Sequence, residues 1–160
     1  MEKVILGVSL GTRVIGVAVM QSGELIDSRV KVFKQQWSKD KRKQILTSIE
    51  RLIDYYNAKQ VVVKSIDPLR TSNQLNLLTE KLKVVLHLKK ITFDFYSLST
   101  AKLGLGIKAR NKQDFMCQIA ERYPQLRKKY QKEINSQHTY YERIFEAVAL
   151  AKWYERDLNI

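Results

Sequence analysis

Two apolar runs joined by a short glycine turn near the start of the chain limit most strongly what it can fold into. Residues 5–8 and 14–19 are apolar apart from small glycines, and a Gly-Thr-Arg turn lies between them. Continuous apolar runs of this length are typical of strands buried on both faces of a sheet. The pattern places Ser9 at the end of the first strand. It therefore predicts a functional position at a strand end, filled here by a neutral hydroxyl.

The rest of the chain changes from a strand period to a helix period and back. The predicted strands are residues 3–9, 14–20, 25–33, 60–65 and 91–96, and the predicted helices are residues 38–56, 72–86, 111–123 and 140–157. This order, β-β-β-α-β-α-β-α-α, predicts an α/β fold with a mixed five-stranded sheet and helices on both faces. There are only 2 prolines and no low-complexity linker, so we expect one domain over residues 1–160.

The charge of the chain indicates the class of partner. With 160 residues, 44% of them hydrophobic, the sequence is typical of a globular domain, and its formal net charge is +13. Such an excess attracts polyanions, of which nucleic acid is the first candidate. We expect no membrane partner, because no apolar run approaches the ~18 residues of a membrane span and no basic helix has an aromatic face. Without a recognisable signal peptide, a cytoplasmic location is expected.

Four stretches resemble one known family. They are "ILGVSLGTRVIGVAVM", "VVVKSIDPLRTSNQLNLLTEKLKVVL", "YSLSTAKLGLGIKARNKQDFMCQIAERYP" and "ERIFEAVALAKW". Together with the order of elements, they resemble the RuvC-type Holliday-junction resolvases of the ribonuclease H-like superfamily over nearly the whole chain. The resemblance implies a ribonuclease H-like fold and the cutting of phosphodiesters with two divalent metal ions held by carboxylates.

The carboxylates that the resemblance implies are mostly replaced in this chain. The family's first aspartate corresponds to Ser9, and its strand-end glutamate corresponds to Lys64. The aspartate pair of its last helix falls on Arg143 and Glu146, with Glu142 one turn before Glu146. A hydroxyl and an ammonium cannot offset the charge of two Mg²⁺ ions, which prefer hard, negative oxygen ligands. We therefore expect a degenerate site at these five catalytic positions, no metal ligands and no cofactor, with Mg²⁺ needed only if activity survives.

A shifted alignment does not restore the missing carboxylates. Asp67 follows Lys64 by three residues, but it precedes Pro68 and is predicted to open a turn there. We instead predict that Lys64 takes the place of the metal beside Glu146, with Ser9 hydrogen-bonded into the same cluster. The alternative is that Lys64 extends into solvent and the cluster never forms.

Several basic and glycine-rich positions are predicted to hold a nucleic-acid backbone. Gly104 and Gly106 would let a phosphate approach the main chain, and the helix that starts after Ser72 would offer free N–H groups. The predicted nucleic-acid-binding residues are Arg70, Ser72, Asn73, Lys102, Gly104, Gly106, Lys108, Arg110 and Lys112. A further basic run, residues 127–132, is either part of this binding surface or only a solvated surface.

Three functions follow from this reading. The leading one is an inactive resolvase homologue that binds DNA, branched DNA included, through its backbone. The second is an active metal-dependent junction endonuclease that uses Glu142, Glu146 and Asp67. The third is a protein-interaction scaffold without catalysis. The resemblance also implies a homodimer, since resolvases of this type are dimers. The second helix would supply the contact face, through Leu77 and Val84, which lie off its main apolar stripe.

Overall fold

Five strands form one mixed sheet in the order β3-β2-β1-β4-β5. The structure is a computed structural model that describes residues 3–135 and 140–158. The strands are β1 (Val4–Ser9), β2 (Val14–Gln21), β3 (Glu24–Val32), β4 (Gln60–Lys64) and β5 (Thr92–Tyr96). The first three pair antiparallel, whereas β4 runs parallel to both β1 and β5. The predicted mixed five-stranded sheet is confirmed.

Helices cover both faces of the sheet, as the sequence predicts. They are α1 (Lys39–Tyr56), α2 (Asn73–Leu88), α3 (Leu98–Gly104), α4 (Lys112–Arg122), α5 (Arg127–Asn135) and α6 (Glu142–Leu158). The α1 and α2 helices share one buried core with alternate strand residues, and a second core joins the opposite face to α3, α4 and α6. Within the described ranges, no helix is long and apolar enough to cross a membrane.

Side-chain caps explain where three of these helices begin. Ser38 accepts a hydrogen bond from the N–H of Lys41, and Ser72 accepts one from the N–H of Leu75. Asn111 caps α4 in the same manner. Each cap satisfies an N–H group that has no partner inside its own helix. The helix starts predicted at these residues are therefore confirmed.

Two helices differ from the sequence prediction. No helix is predicted between β5 and residue 111, yet α3 forms directly after β5 and is capped by Ser97. No helix is predicted in the basic stretch after Pro124 either, yet that stretch forms α5. Both helices are short, so hydrophobic periodicity is weak in them, and tertiary contacts hold them in place. Lys129 of α5, for example, donates to both the carbonyl and the hydroxyl of Ser28 on β3.

Candidate functional site

The site lies where α6 crosses the carboxyl ends of β1 and β4, and small residues let the helix come close. A Cβ added at Gly7 would lie 2.3 Å from the carbonyl oxygen of Ala147, and one at Gly16 would lie 2.3 Å from the carbonyl carbon of Arg143. Since Gly16 pairs with Ser9 across the strands, the absence of side chains there lets α6 reach the strand end. The glycines of the first motif thus set the distance between sheet and helix.

Glu146 is the centre of a buried polar cluster. Its two carboxylate oxygens accept separate bonds, Oε1 from the hydroxyl of Ser9 at 2.7 Å and Oε2 from the ammonium of Lys64 at 2.6 Å. Ser9 is fully buried, and the Glu146 side chain is only 7% exposed, whereas that of Lys64 is 31% exposed. A buried carboxylate needs such partners, since burying its charge alone is very unfavourable. The predicted arrangement of Lys64, Glu146 and Ser9 is confirmed.

Arg143 adds a second cation to this cluster. Its Nη1 donates to the hydroxyl oxygen of Ser9 at 3.3 Å and to the carbonyl of Leu10 at 3.1 Å. Gly11 makes room for it, because a Cβ there would lie 2.8 Å from the guanidinium carbon. The arginine therefore ties the first turn of α6 to the β1–β2 loop.

Glu142 lies one turn before Glu146 and faces a different lysine. Its carboxylate is 3.4 Å from the ammonium of Lys112 at the start of α4. The same end of α6 is capped from α5, where Glu133 accepts hydrogen bonds from the N–H groups of Tyr141 and Glu142. Burial raises the pKa of Glu133, although these two N–H bonds oppose the rise. Glu133 was not singled out in the sequence, because nothing local links it to a helix that begins nine residues later.

A cavity of about 1100 Å³ opens above the cluster. Six cationic side chains line it, against three carboxylates. The cations are Arg13, Lys64, Arg70, Lys102, Lys112 and Arg143, and the carboxylates are Asp67, Glu142 and Glu146. The surplus of positive side chains makes the cavity suited to an anion. Arg13 was missed in the sequence because it lies in the tight turn after β1, and only the sheet brings that turn over the cavity.

The predicted nucleic-acid-binding residues fall into two groups. Arg70, Lys102 and Lys112 line the cavity. The others lie elsewhere and are Ser72, Asn73, Gly104, Gly106, Lys108 and Arg110. Their role in binding stays a prediction for both groups.

Two of the positions outside the cavity have structural roles of their own. The hydroxyl of Ser72 is already engaged by the N–H of Leu75. Gly104 packs against Trp153, because a Cβ there would lie 2.1 Å from the indole nitrogen. Gly106 differs from both, since it has a positive φ of 70° and open space around it. Of the two glycines, only Gly106 therefore has open space at the position where a side chain would lie.

Asp67 has the structural role that the sequence predicts. Its carboxylate accepts a hydrogen bond from the N–H of Leu69 and caps the short 3₁₀ turn Pro68–Arg70. Although Asp67 lines the cavity, it is exposed and belongs to this turn.

The residues of the site do not fit a pair of divalent ions. Both oxygens of Glu146 are engaged, Glu142 faces a lysine, and an ammonium occupies the strand end where a metal ligand is needed. Among residues 3–135 and 140–158, no group of three or more His, Cys, Asp or Glu side chains is placed to hold a metal ion. Mg²⁺ is bound by oxygen ligands such as carboxylates, and a neighbouring ammonium repels it. That the protein uses no metal nevertheless stays a prediction.

Known proteins resemble this chain in structure but not detectably in sequence. No protein-family model matches the sequence, and no curated protein matches it either. Among solved structures, RuvC of Thermus thermophilus is similar with a TM-score of 0.70 at 14% identity, over 96% of both chains. The same protein in complex with a Holliday junction substrate gives 0.68 at 15% identity, over 97% of this chain and 96% of that one.

A viral enzyme shows the same similarity. The fowlpox virus resolvase, in complex with its substrate Holliday junction DNA, gives a TM-score of 0.60 at 16% identity, over 97% of this chain and 98% of that one. The similarity thus spans nearly the full length in each case, as the order of elements and the sheet topology lead one to expect. The chain therefore has the ribonuclease H-like fold of the RuvC-type Holliday junction resolvases.

Proposed function

We propose that this protein binds DNA at branch points through the phosphate backbone and does not cut it. The observation that carries the proposal is the cluster at the strand ends, where Lys64 and Ser9 occupy both oxygens of Glu146. In a two-metal nuclease, the carboxylates must be free to neutralise the ions that activate water and stabilise the leaving oxygen. Here the buried carboxylate of the site, Glu146, is already neutralised by the side chain of Lys64.

The charge distribution supports DNA as the partner. The net charge of +13 is spread over a chain of only 160 residues, and six cationic side chains converge on one cavity. Phosphate contacts of this kind give affinity without reading base sequence. Two of the structural neighbours described above are resolvases in complex with Holliday junctions. A four-way junction is therefore the first ligand to test, and a cytoplasmic location is part of the proposal.

A homodimer through α2 is also part of the proposal. Leu77, Val84 and Leu88 are exposed on that helix at spacings of seven and four residues, which places them on one face. Glu80 and Lys81 lie on the same exposed side, so two copies can offer each other both signs of charge. Light scattering should give the mass of two chains, and Val84→Glu should give the mass of one. A monomeric wild-type protein would remove this part of the proposal.

The first experiment tests cleavage. A labelled four-way junction is incubated with the protein in Mg²⁺, in Mn²⁺ and in chelator, beside a Glu146→Ala variant. We expect bound junction and no specific product in any of the three conditions. Specific products that need metal and disappear in the variant would establish the active endonuclease instead.

The second experiment tests binding. Affinity for the junction and for a duplex of equal length is measured between low and moderate salt, in chelator. About four to six phosphate contacts predict a slope of log K against log salt of roughly −4 to −5. We expect tighter binding of the junction than of the duplex. No binding even at low salt would favour the protein-interaction scaffold.

A further inference from the structure

The ammonium of Lys64 faces two environments at once. The ammonium donates a hydrogen bond to Glu146 at 2.6 Å. The side chain of Lys64 is 31% exposed, and it lines the cavity. An ammonium has three N–H donors, and the salt bridge to Glu146 uses one of them. Lys64 can therefore bind a second anion without giving up the first.

The other walls of the cavity bring further donors to the same space. Arg143 uses only Nη1 in its bonds to Ser9 and Leu10, and a guanidinium has five N–H donors. Lys102 and Lys112 reach the cavity from α3 and α4, on the side of the sheet that α6 covers. These four cations belong to four separate elements, so the fold itself, and not a local charge run, assembles them.

From this juxtaposition we infer that Lys64 binds a phosphate group of a nucleic-acid strand directly, in the cavity over Glu146, and that no divalent ion mediates the contact. The inference rests on the proposed function and names the subsite at which the backbone is held. The cation that the strand meets there is an ammonium fixed by a carboxylate on one side and open on the other. A strand is the favoured source of the phosphate because exposed Arg13 and Arg70 extend the basic lining outward from the cavity.

The direction in which one substitution changes junction affinity separates this arrangement from a metal-dependent one. Glu146→Gln keeps the shape of the cluster, since the amide oxygen can accept from Lys64 while the amide N–H donates to Ser9. It leaves Lys64 with an uncompensated charge beside the phosphate. Junction affinity in chelator should then rise, by about threefold to tenfold at low salt. At a metal-dependent site, the same change removes a ligand, so binding supported by Mn²⁺ should fall.

The complementary substitution removes the contact while keeping the cluster neutral. Lys64→Met combined with Glu146→Gln should weaken junction binding about tenfold and reduce the salt slope by about one. Lys43→Met is the matched control, because it removes one lysine from an exposed position of α1, on the other face of the sheet. Equal effects of the double variant and the control would overturn the inference and leave DNA binding intact.

Modified DNA identifies the phosphate. Neutral methylphosphonate linkages are placed one at a time around the branch point, and each junction is titrated with wild type and double variant. One linkage should weaken wild-type binding and have no further effect on the double variant. Additive losses at every linkage would overturn the inference.

A competition experiment distinguishes a nucleic-acid strand from a free polyphosphate as the source of the phosphate. The titration of the wild type with the junction separates the inference about Lys64 from the proposed function. Pyrophosphate at micromolar concentration should not displace the junction; displacement that depends on Lys64 would identify a free polyphosphate as the occupant instead and overturn the inference. No junction binding by the wild type would overturn both the inference and the proposed function.

Discussion

At the scale of single residues, Glu146 is a buried carboxylate whose two oxygens are both engaged by side chains. Its side chain is 7% exposed, and its partners Lys64 and Ser9 come from two different strands. Removing one partner of such a pair leaves a buried charge uncompensated, which is more harmful than removing both. The loss of stability when one partner is removed therefore measures how much the buried carboxylate depends on contacts between distant segments.

Replacing Lys64 by methionine should destabilise the protein by about 2–3 kcal/mol, less than for a fully buried pair because Lys64 retains some exposure. The physical reason is the unpaired carboxylate of Glu146. Urea unfolding at neutral pH measures the loss. Adding Glu146→Gln to the same chain should restore most of the free energy of unfolding. A double variant as unstable as the single one would show that packing, and not charge, holds Lys64 in place.

Glu133 should make stability depend on pH. Burial raises its pKa above the ordinary value of 4.5, so the folded state binds the proton more tightly than the unfolded state does. Its contribution to stability is therefore full below about 4.5 and is lost as the pH rises through the folded pKa. Glu133→Gln should flatten this part of the curve of unfolding free energy against pH.

The matched control for that measurement is Glu121→Gln, which changes an exposed glutamate on α4. Its curve should follow the wild type between pH 4 and pH 7. If both variants gave the wild-type curve, the proton on Glu133 would have no part in stability.

At the scale of elements, the decisive contact is between α6 and the sheet. Gly7 of β1 and Gly16 of β2 pack against the backbone of the helix. Another small residue, Ala18 of β2, pairs with Gly7 in the sheet. A helix cannot approach a sheet this closely over larger residues, because cores tolerate little added volume. The closeness places Glu146 against Ser9, so the packing of one element sets the chemistry of the site.

Gly7→Ala should destabilise the protein by about 2–3 kcal/mol, because the new Cβ would meet the carbonyl oxygen of Ala147. Thermal unfolding measures the loss. Gly106→Ala is the matched control, because its position has open space and only a positive φ of 70°. That backbone conformation should limit the loss to about 1 kcal/mol. Equal losses would mean that α6 can move away from the sheet at little expense.

At the scale of the whole molecule, a fold shared with resolvases surrounds a site in which cationic side chains outnumber carboxylates. The chain is similar to RuvC of Thermus thermophilus with a TM-score of 0.70, and its own strand ends present Ser9 and Lys64. Since the backbone framework is set by packing and not by the site, the electrostatics of the site can change without loss of the fold. The framework should therefore accept carboxylates at these strand ends.

Combining Ser9→Asp with Lys64→Glu should create a site for divalent ions. The two new carboxylates would lie beside Glu146, which loses its ammonium partner. Calorimetric titration with Mn²⁺ should show saturable binding to this variant and much weaker binding to the wild type. Thermal unfolding provides a second readout, because the ion should raise the melting temperature of the variant alone. Equal Mn²⁺ binding by both proteins would contradict the electrostatic interpretation of the site.

The sequence by itself determined the strands and the helix starts, whereas the replacement of carboxylates at Ser9 and Lys64 is a prediction that depends on a family resemblance. The strands and helix starts follow from local patterns, such as the apolar runs around the first glycine turn and the residues Ser38, Ser72 and Asn111 before each helix. The meeting of Lys64 and Glu146 was also predicted, but only because the order of elements resembles a known fold.

Only the tertiary structure decided the rest. The helices α3 and α5, the cap that Glu133 gives to α6 and the place of Arg13 over the cavity all depend on contacts between distant segments. The structural role of Gly104 likewise depends on Trp153, which lies far along the chain. Such contacts leave no periodic trace in the sequence, because each involves one or two side chains whose partners are chosen by the packing of α6 on the sheet.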